Sequence, residues 1–210
     1  MAETDVDLAM WPRAAQFHWF RTYDRPHYAT TVRLDVSHLM EVRKGQGVSV
    51  YRACLYAIGA GLHAVPELLM RFRGDRVVAH DRVALSMTVP TLAGSFNYAY
   101  VPYSADAATF DRDAARLIAE AEKGTTLDAN ADARDDVAYL SCMPWIDYTS
   151  LNNALPGPDD CIPRVSWGKF VAEADGHWRV AMTLEVHHAL VDGAQVGAFF
   201  SAVQAALTDL

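Results

Sequence analysis

Basic residues are in short supply in this chain. Eighteen Lys and Arg stand against 26 Asp and Glu, a formal charge of -8 at neutral pH. A surface of that sign argues against nucleic acid or an anionic membrane as the main partner, since both need basic contacts. A small anionic ligand needs only a local basic patch and stays open. Cysteine is scarce as well: Cys54, Cys142 and Cys161 are odd in number and far apart. That spacing fits neither a disulfide framework nor a metal finger, so a reducing cytoplasm is the expected compartment. No run is long and apolar enough to span a bilayer, and the acidic start Met1-Ala2-Glu3-Thr4-Asp5-Val6-Asp7 lacks the apolar centre of a signal sequence. A soluble, intracellular protein is expected. Repeats, low-complexity tracts and linkers are also missing, so residues 1–210 are expected to form a single domain.

What is present is ample apolar material, 51% of the chain, in recognisable periods. Aromatics crowd Trp11 to Phe20, with Arg13 among them and Arg21 just beyond. Residues 30–36 alternate as a strand, and Ser37 is placed to cap a short helix ending near Gly45. Tyr51, Cys54, Leu55, Ile58, Leu62 and Val65 form a helical stripe that stops before Pro66. Residues 68–72 and 77–89 read as strands joined at Gly74-Asp75, and 95–103 as extended. Phe110, Ala114, Leu117, Ile118 and Ala121 mark another helix, and 123–136 has the composition of an exposed loop. Residues 137–142 and 164–172 are strands, the second turning at Ala174-Asp175-Gly176 into the strand 178–186. Most neighbouring strands are joined by tight turns. The expected fold is therefore α+β, a two-layer α/β sandwich whose sheet is mixed and largely antiparallel.

The most informative stretch is His187-His188-Ala189-Leu190-Val191-Asp192-Gly193. It lies where the alternating strand ends and a helix begins, with Val196, Phe199, Phe200, Val203 and Leu207 on one helical face. His188 is a candidate general base, because a neutral imidazole with a fixed orientation can take a proton from a hydroxyl. Taken alone, the motif also fits a helix cap beside two incidental histidines. His188 and Asp192 have metal-ligand spacing too, but no third ligand is close in sequence, and no metal is expected.

Further motifs follow in order along almost the whole chain. They are Trp11-Pro12-Arg13 with Phe17-His18-Trp19-Phe20, Pro102-Tyr103-Ser104, Ser141-Cys142-Met143-Pro144-Trp145, Pro163 to Phe170, and the terminal histidine motif. Together they resemble the chloramphenicol acetyltransferase family, the trimeric type of CoA-dependent acyltransferase. The resemblance implies acetyl-CoA as co-substrate, a small hydroxylated acceptor, a homotrimer with active sites between subunits, and a role in antibiotic resistance. It implies His188 as the base, its ring bonded to its own backbone carbonyl, and Asp192 as a structural partner of Arg13. Ser141 would donate to the developing oxyanion. On the cofactor side it implies Ser166, which stands where the family tends to have a threonine holding a water, with Lys169, Phe170 and Trp145 meeting CoA. A related acyltransferase for another alcohol or an amine, or a descendant that only binds CoA, are the alternative readings.

Departures from the family pattern gather on the acceptor side. The acceptor positions are Trp19, Phe20, Phe96 and Tyr98. Trp19 and Phe20 stand where drug-acetylating members tend to have phenylalanine and tyrosine. Tyr98 stands at a usually small position, and Glu185 replaces a glutamine. Pocket shape decides which acceptor aligns with the base, so these departures bear on the identity of the acceptor and not on acyl transfer itself.

Overall fold

A computed structural model describes residues 2–92, 94–125, 127 and 134–210. Its frame is a six-stranded mixed sheet. The strands are β2 (His27–Asp35), β5 (Ala84–Pro90), β6 (Phe96–Pro102), β7 (Val137–Cys142), β8 (Arg164–Ala172) and β9 (Trp178–His187), with β1, β3 and β4 elsewhere. Their order is β2-β9-β8-β7-β5-β6, and only β5–β7 and β7–β8 run parallel. The other three, β1 (Glu3–Asp5), β3 (Met70–Arg73) and β4 (Arg76–His80), form a small antiparallel sheet in the order β1-β4-β3. The helices are α1 (Ala14–Phe20), α2 (Val50–His63), α3 (Ala107–Lys123) and α4 (Gly193–Asp209). Helices α2 and α4 pack together, α4 against β2, and α3 against β5 and β6. The α+β sandwich with a mixed, mainly antiparallel sheet is the fold expected.

Period-two alternation gives the large sheet two unlike faces. Leu85, Met87, Val101, Leu140, Trp167 and Met182 point to the buried core shared with the helices. The intervening residues are polar and line up across the strands in two rows. One row runs Tyr100, Ser86, Tyr139, Arg164, Glu185, each the register partner of the next. The other runs Ser141, Ser166, Thr183, Thr31. The chain between β7 and β8 returns over β8 and β9. There the Tyr148 hydroxyl donates to the Ser166 carbonyl at 2.8 Å, and Asn153 donates twice to Glu185 Oε2, each at 2.8 Å. Ser166, Thr183 and Glu185 are thereby buried on the polar side.

Three local expectations change. The expected strand 77–89 is two strands in two sheets, broken at the charged pair Asp81-Arg82. Asp81 N–H donates to the Ala2 carbonyl and ends β4, while Val83 N–H donates to His63 Nε2 on the way into β5. Ser37 caps no helix; its hydroxyl accepts from Trp178 N–H at 2.9 Å and ties β2 to the start of β9. The helical turn that follows spans Leu39–Arg43, tightens over Lys44–Gln46 and stops at Gly47, whose φ of +83° suits glycine. Of the loop expected over 123–136, Lys123 closes α3, and 126 and 128–133 lie outside the described residues.

Candidate active site

The histidine motif occupies the turn between β9 and α4. Asp192 is the N-cap of α4: its side chain accepts from Ala194 N–H at 3.2 Å, and its own N–H donates to Gln195 Oε1 at 3.2 Å. Such reciprocal caps satisfy amides that the first helical turn leaves open. His187 anchors the turn from below. Its Nε2–H donates to the Pro158 carbonyl at 2.9 Å, and its Nδ1 accepts from Ala189 N–H at 3.1 Å. Both bonds require a neutral ring with the proton on Nε2. Burial, and then the neighbouring His27, push its pKa down to about 4. His187 is thus fixed as part of the framework.

His188 is half-buried and leads out of the sheet, its N–H donating to the Pro26 carbonyl at 2.9 Å. Its ring lies flat on Phe20, with centroids 3.8 Å apart and planes 6° from parallel, and tilts against Tyr28 at 4.7 Å. Nδ1 is buried with no hydrogen-bond partner among the described residues. The implied bond from the ring to its own carbonyl is therefore not made, and stacking between two aromatics holds the orientation instead. Nε2 is the nitrogen left outward. Burial, then the charge of Asp192, raises the Tyr28 phenol to about 12, so it stays protonated as it donates to the Val191 carbonyl at 3.4 Å.

Arg13, at the N-cap of α1, donates from Nη1 to Asp192 Oδ2. Its Nε and Nη2 are buried without partners among the described residues. No hydrogen bond joins Asp192 to the His188 ring among the described residues, so the carboxylate holds Arg13 and the helix cap and does not touch the imidazole.

Ser141 and Ser166 are register partners on the polar face, and the Ser166 hydroxyl is buried without a partner among the described residues. They do not meet His188. Ser166 pairs with Thr183, and His188 lies five residues further along that strand direction. The separation is about 16 Å along the strands and about 10 Å across them. Ser141 instead lines a cavity of about 390 Å³ with Ser86, Thr88, Tyr98, Tyr100 and Tyr139. A second cavity of about 530 Å³ is more apolar and is lined by Tyr51, Ile118, Trp145, Trp167, Phe170 and Lys44 among others. Trp167 Nε1 is buried there with no partner among the described residues. Lys169 is exposed beside Phe170, where a bulge interrupts the pairing of β8 with β9.

The expected acceptor residues fall into two groups. Trp19 stacks on Phe20 next to His188 and is 65% exposed. Phe96 packs edge-on against Tyr98 beside the Ser141 cavity, but only Tyr98 lines it. The structure adds Tyr28, Ser86, Tyr100, Tyr139 and Trp167 to the expected set. For Ser86 and Tyr100 the polar alternation of residues 84–90 and 96–102 is a sequence signal, whereas Tyr28, Tyr139 and Trp167 enter through strand register and packing. Among the described residues no group of His, Cys, Asp and Glu is arranged to hold a metal ion, and no helix is long and apolar enough to cross a membrane.

Comparison with known proteins bears on this geometry. A chloramphenicol acetyltransferase of Bacillus pumilus is 25% identical over 89% of this chain and 86% of its own. One of Streptomyces acrimycini is 26% identical over 97% and 94%. A solved chloramphenicol acetyltransferase superposes with a TM-score of 0.89 at 25% identity, covering 98% of this chain and all of the other. The family model described as chloramphenicol acetyltransferase matches residues 1–204, and the chain belongs to that family.

Proposed function

We propose that this protein transfers an acetyl group from acetyl-CoA to a hydroxyl of a small acceptor, with His188 as general base. The observation that carries the reading is the His188 ring, clamped by Phe20 and Tyr28 with Nε2 outward, at the end of a strand braced by Arg13, Asp192 and His187. Nε2 takes the proton of the acceptor hydroxyl as its oxygen attacks the thioester carbonyl. The Ser141 hydroxyl donates to the carbonyl oxygen as it gains negative charge, an effect worth about 3 kcal/mol in comparable sites. The Ser166 hydroxyl, its register partner, holds a water beside it. Cleavage of the carbon–sulfur bond then returns the proton from His188 to the departing thiolate, leaving an acetyl ester and free CoA.

The second cavity suits the donor. Its apolar walls would hold an extended arm, the unpartnered Trp167 Nε1–H is ready for an amide carbonyl, and Lys44 and Lys169 offer charge for phosphate. Phe170 and Trp145 supply stacking surfaces.

His188 and Ser141 are too far apart to act on one substrate within a chain. The site is therefore assembled between copies, in a homotrimer where His188 of one subunit faces the Ser141 cavity of the next. Trp19 is exposed next to Phe20 and His188, and Phe96 is exposed next to Tyr98 of the Ser141 cavity. Each of the two faces that would meet thus carries an aromatic, a residue type enriched at interfaces. The donor and the free thiols Cys54, Cys142 and Cys161 suit a cytoplasmic setting. The names of the relatives add a narrower reading, modification of chloramphenicol and resistance to it.

The test is thiol release from acetyl-CoA across a panel of hydroxylated acceptors. Wild type is expected to release CoA, and His188→Ala to lose at least 100-fold in kcat, about the contribution of a positioned base. Equal rates in the two proteins would remove His188 from the chemistry.

A further inference from the structure

The lining of the Ser141 cavity says more about the acceptor. We propose, resting on the acyl-transfer reading, that the acceptor is an uncharged polyhydroxylated molecule of the sugar or cyclitol class, bound by Ser86, Thr88, Tyr98 and Asn153.

Unused hydrogen-bonding capacity is the first argument. Ser86 is 1% exposed, faces the cavity, and its hydroxyl has no partner among the described residues. Buried hydroxyls are almost always paired, so one left open in a cavity wall points to a ligand group. The hydroxyls of Thr88 and Tyr98, on the same wall, make no hydrogen bond among the described residues. Asn153 donates its backbone N–H and one side-chain N–H to Glu185, which fixes the carboxamide on the cavity wall and leaves Oδ1 as an acceptor. Hydroxyls both donate and accept, and an array of them matches neighbouring hydroxyls on a ligand.

Charge gives the second argument. Arg164 is the one charged residue in the lining, and Asp160 pairs with it while both are about a tenth exposed. A phosphate, carboxylate or amine would find no unpaired opposite charge there and would lose its hydration. The third argument is shape. Tyr98, Tyr100 and Tyr139 offer aromatic faces, and about 390 Å³ is within the range of small-molecule sites. An apolar alcohol could fill that volume, but it would strip water from Ser86 and Asn153 without replacing it. Sites built for hydrogen bonding reject such analogues strongly. On this proposal the acceptor is bound through its other hydroxyls, and the reacting one gives its proton to His188 to form the acetyl ester.

Binding is tested apart from chemistry by calorimetry of the full chain, without CoA, against methyl glycosides, myo-inositol and chloramphenicol. At least one polyol is expected to bind, and Ser86→Ala and Tyr98→Phe each to weaken it about tenfold. Thermal melts establish that both variants fold. In thiol-release assays the same variants should raise KM for the polyol by that factor and leave KM for acetyl-CoA in place. Polyol binding without thiol release from acetyl-CoA would keep this acceptor class and overturn acyl transfer. Thiol release with chloramphenicol at a higher kcat/KM than with any polyol would keep acyl transfer and overturn this acceptor class. So would the absence of polyol binding, or unchanged affinity in both variants.

Discussion

Stability should fall steeply in mild acid because of His187. Its imidazole donates to the Pro158 carbonyl and accepts from Ala189 N–H, an arrangement only the neutral ring can make. Burial and His27 lower its pKa from 6.5 to about 4. In the unfolded chain the ring takes a proton below its ordinary pKa, while the folded protein resists until about pH 4. The unfolded state therefore binds more protons across that window, and stability is full above 6.5 and lost as pH falls toward 4. At 1.36 kcal/mol per pKa unit, this one residue costs about 3 kcal/mol between pH 7 and pH 4. The assay is urea unfolding at half-unit pH steps for wild type and His187→Gln. The variant begins less stable, having lost the paired bonds, but its curve should be flatter by about 3 kcal/mol across the window. His63 is lowered in the same direction by burial, so some slope remains in both proteins. Parallel curves for the two proteins would refute the assignment of a neutral, buried His187.

Two other substitutions separate structure from chemistry. Arg13→Ala should cost about 1–2 kcal/mol, a modest loss because Asp192 stays 36% exposed and keeps its capping role, and Arg13 already leaves two donors unpaired. Its activity should drop further than its melting temperature suggests, since the His188 turn loses its brace; no change in either would remove the pair from the account. Gly168→Ala would bring a Cβ to 2.5 Å from the Ile146 carbonyl and 3.1 Å from the Tyr148 ring. We expect a loss of about 1–3 kcal/mol and a raised KM for acetyl-CoA, because the displaced segment carries Trp145. A neutral melt would mean that the segment yields freely.

Much of this was legible in the sequence because local patterns dictate local structure. The alternation of residues 178–186 specifies β9, and the Val196, Phe199, Phe200, Val203 stripe specifies α4, so the sequence alone places the histidine motif in the turn between them. The break between β4 and β5 was missed because hydrophobic alternation continues in phase across it; only Asp81-Arg82 marks the change of sheet. Ser37 was misread because a cap and a strand tie use the same hydroxyl, and tertiary contact decided between them. The stacking of His188 on Phe20 and Tyr28 joins segments far apart in sequence, and no periodicity shows that. Likewise, the row of Tyr100, Ser86, Tyr139, Arg164 and Glu185 exists only once strand order and register are known. The resemblance implies active sites between subunits, but how far His188 stands from Ser141 within one chain, about 16 Å along the strands and about 10 Å across them, follows only from strand order and register.

That separation allows the central claim to be tested by complementation. His188→Ala and Ser141→Ala chains, each nearly inactive, are unfolded together, refolded in equal amounts and assayed for thiol release from acetyl-CoA. If His188 of one chain serves the Ser141 cavity of another, random trimers contain intact sites at about one interface in four, and about a quarter of wild-type activity returns. If the mixture is no more active than its two parents, the site does not form between copies and the account is wrong.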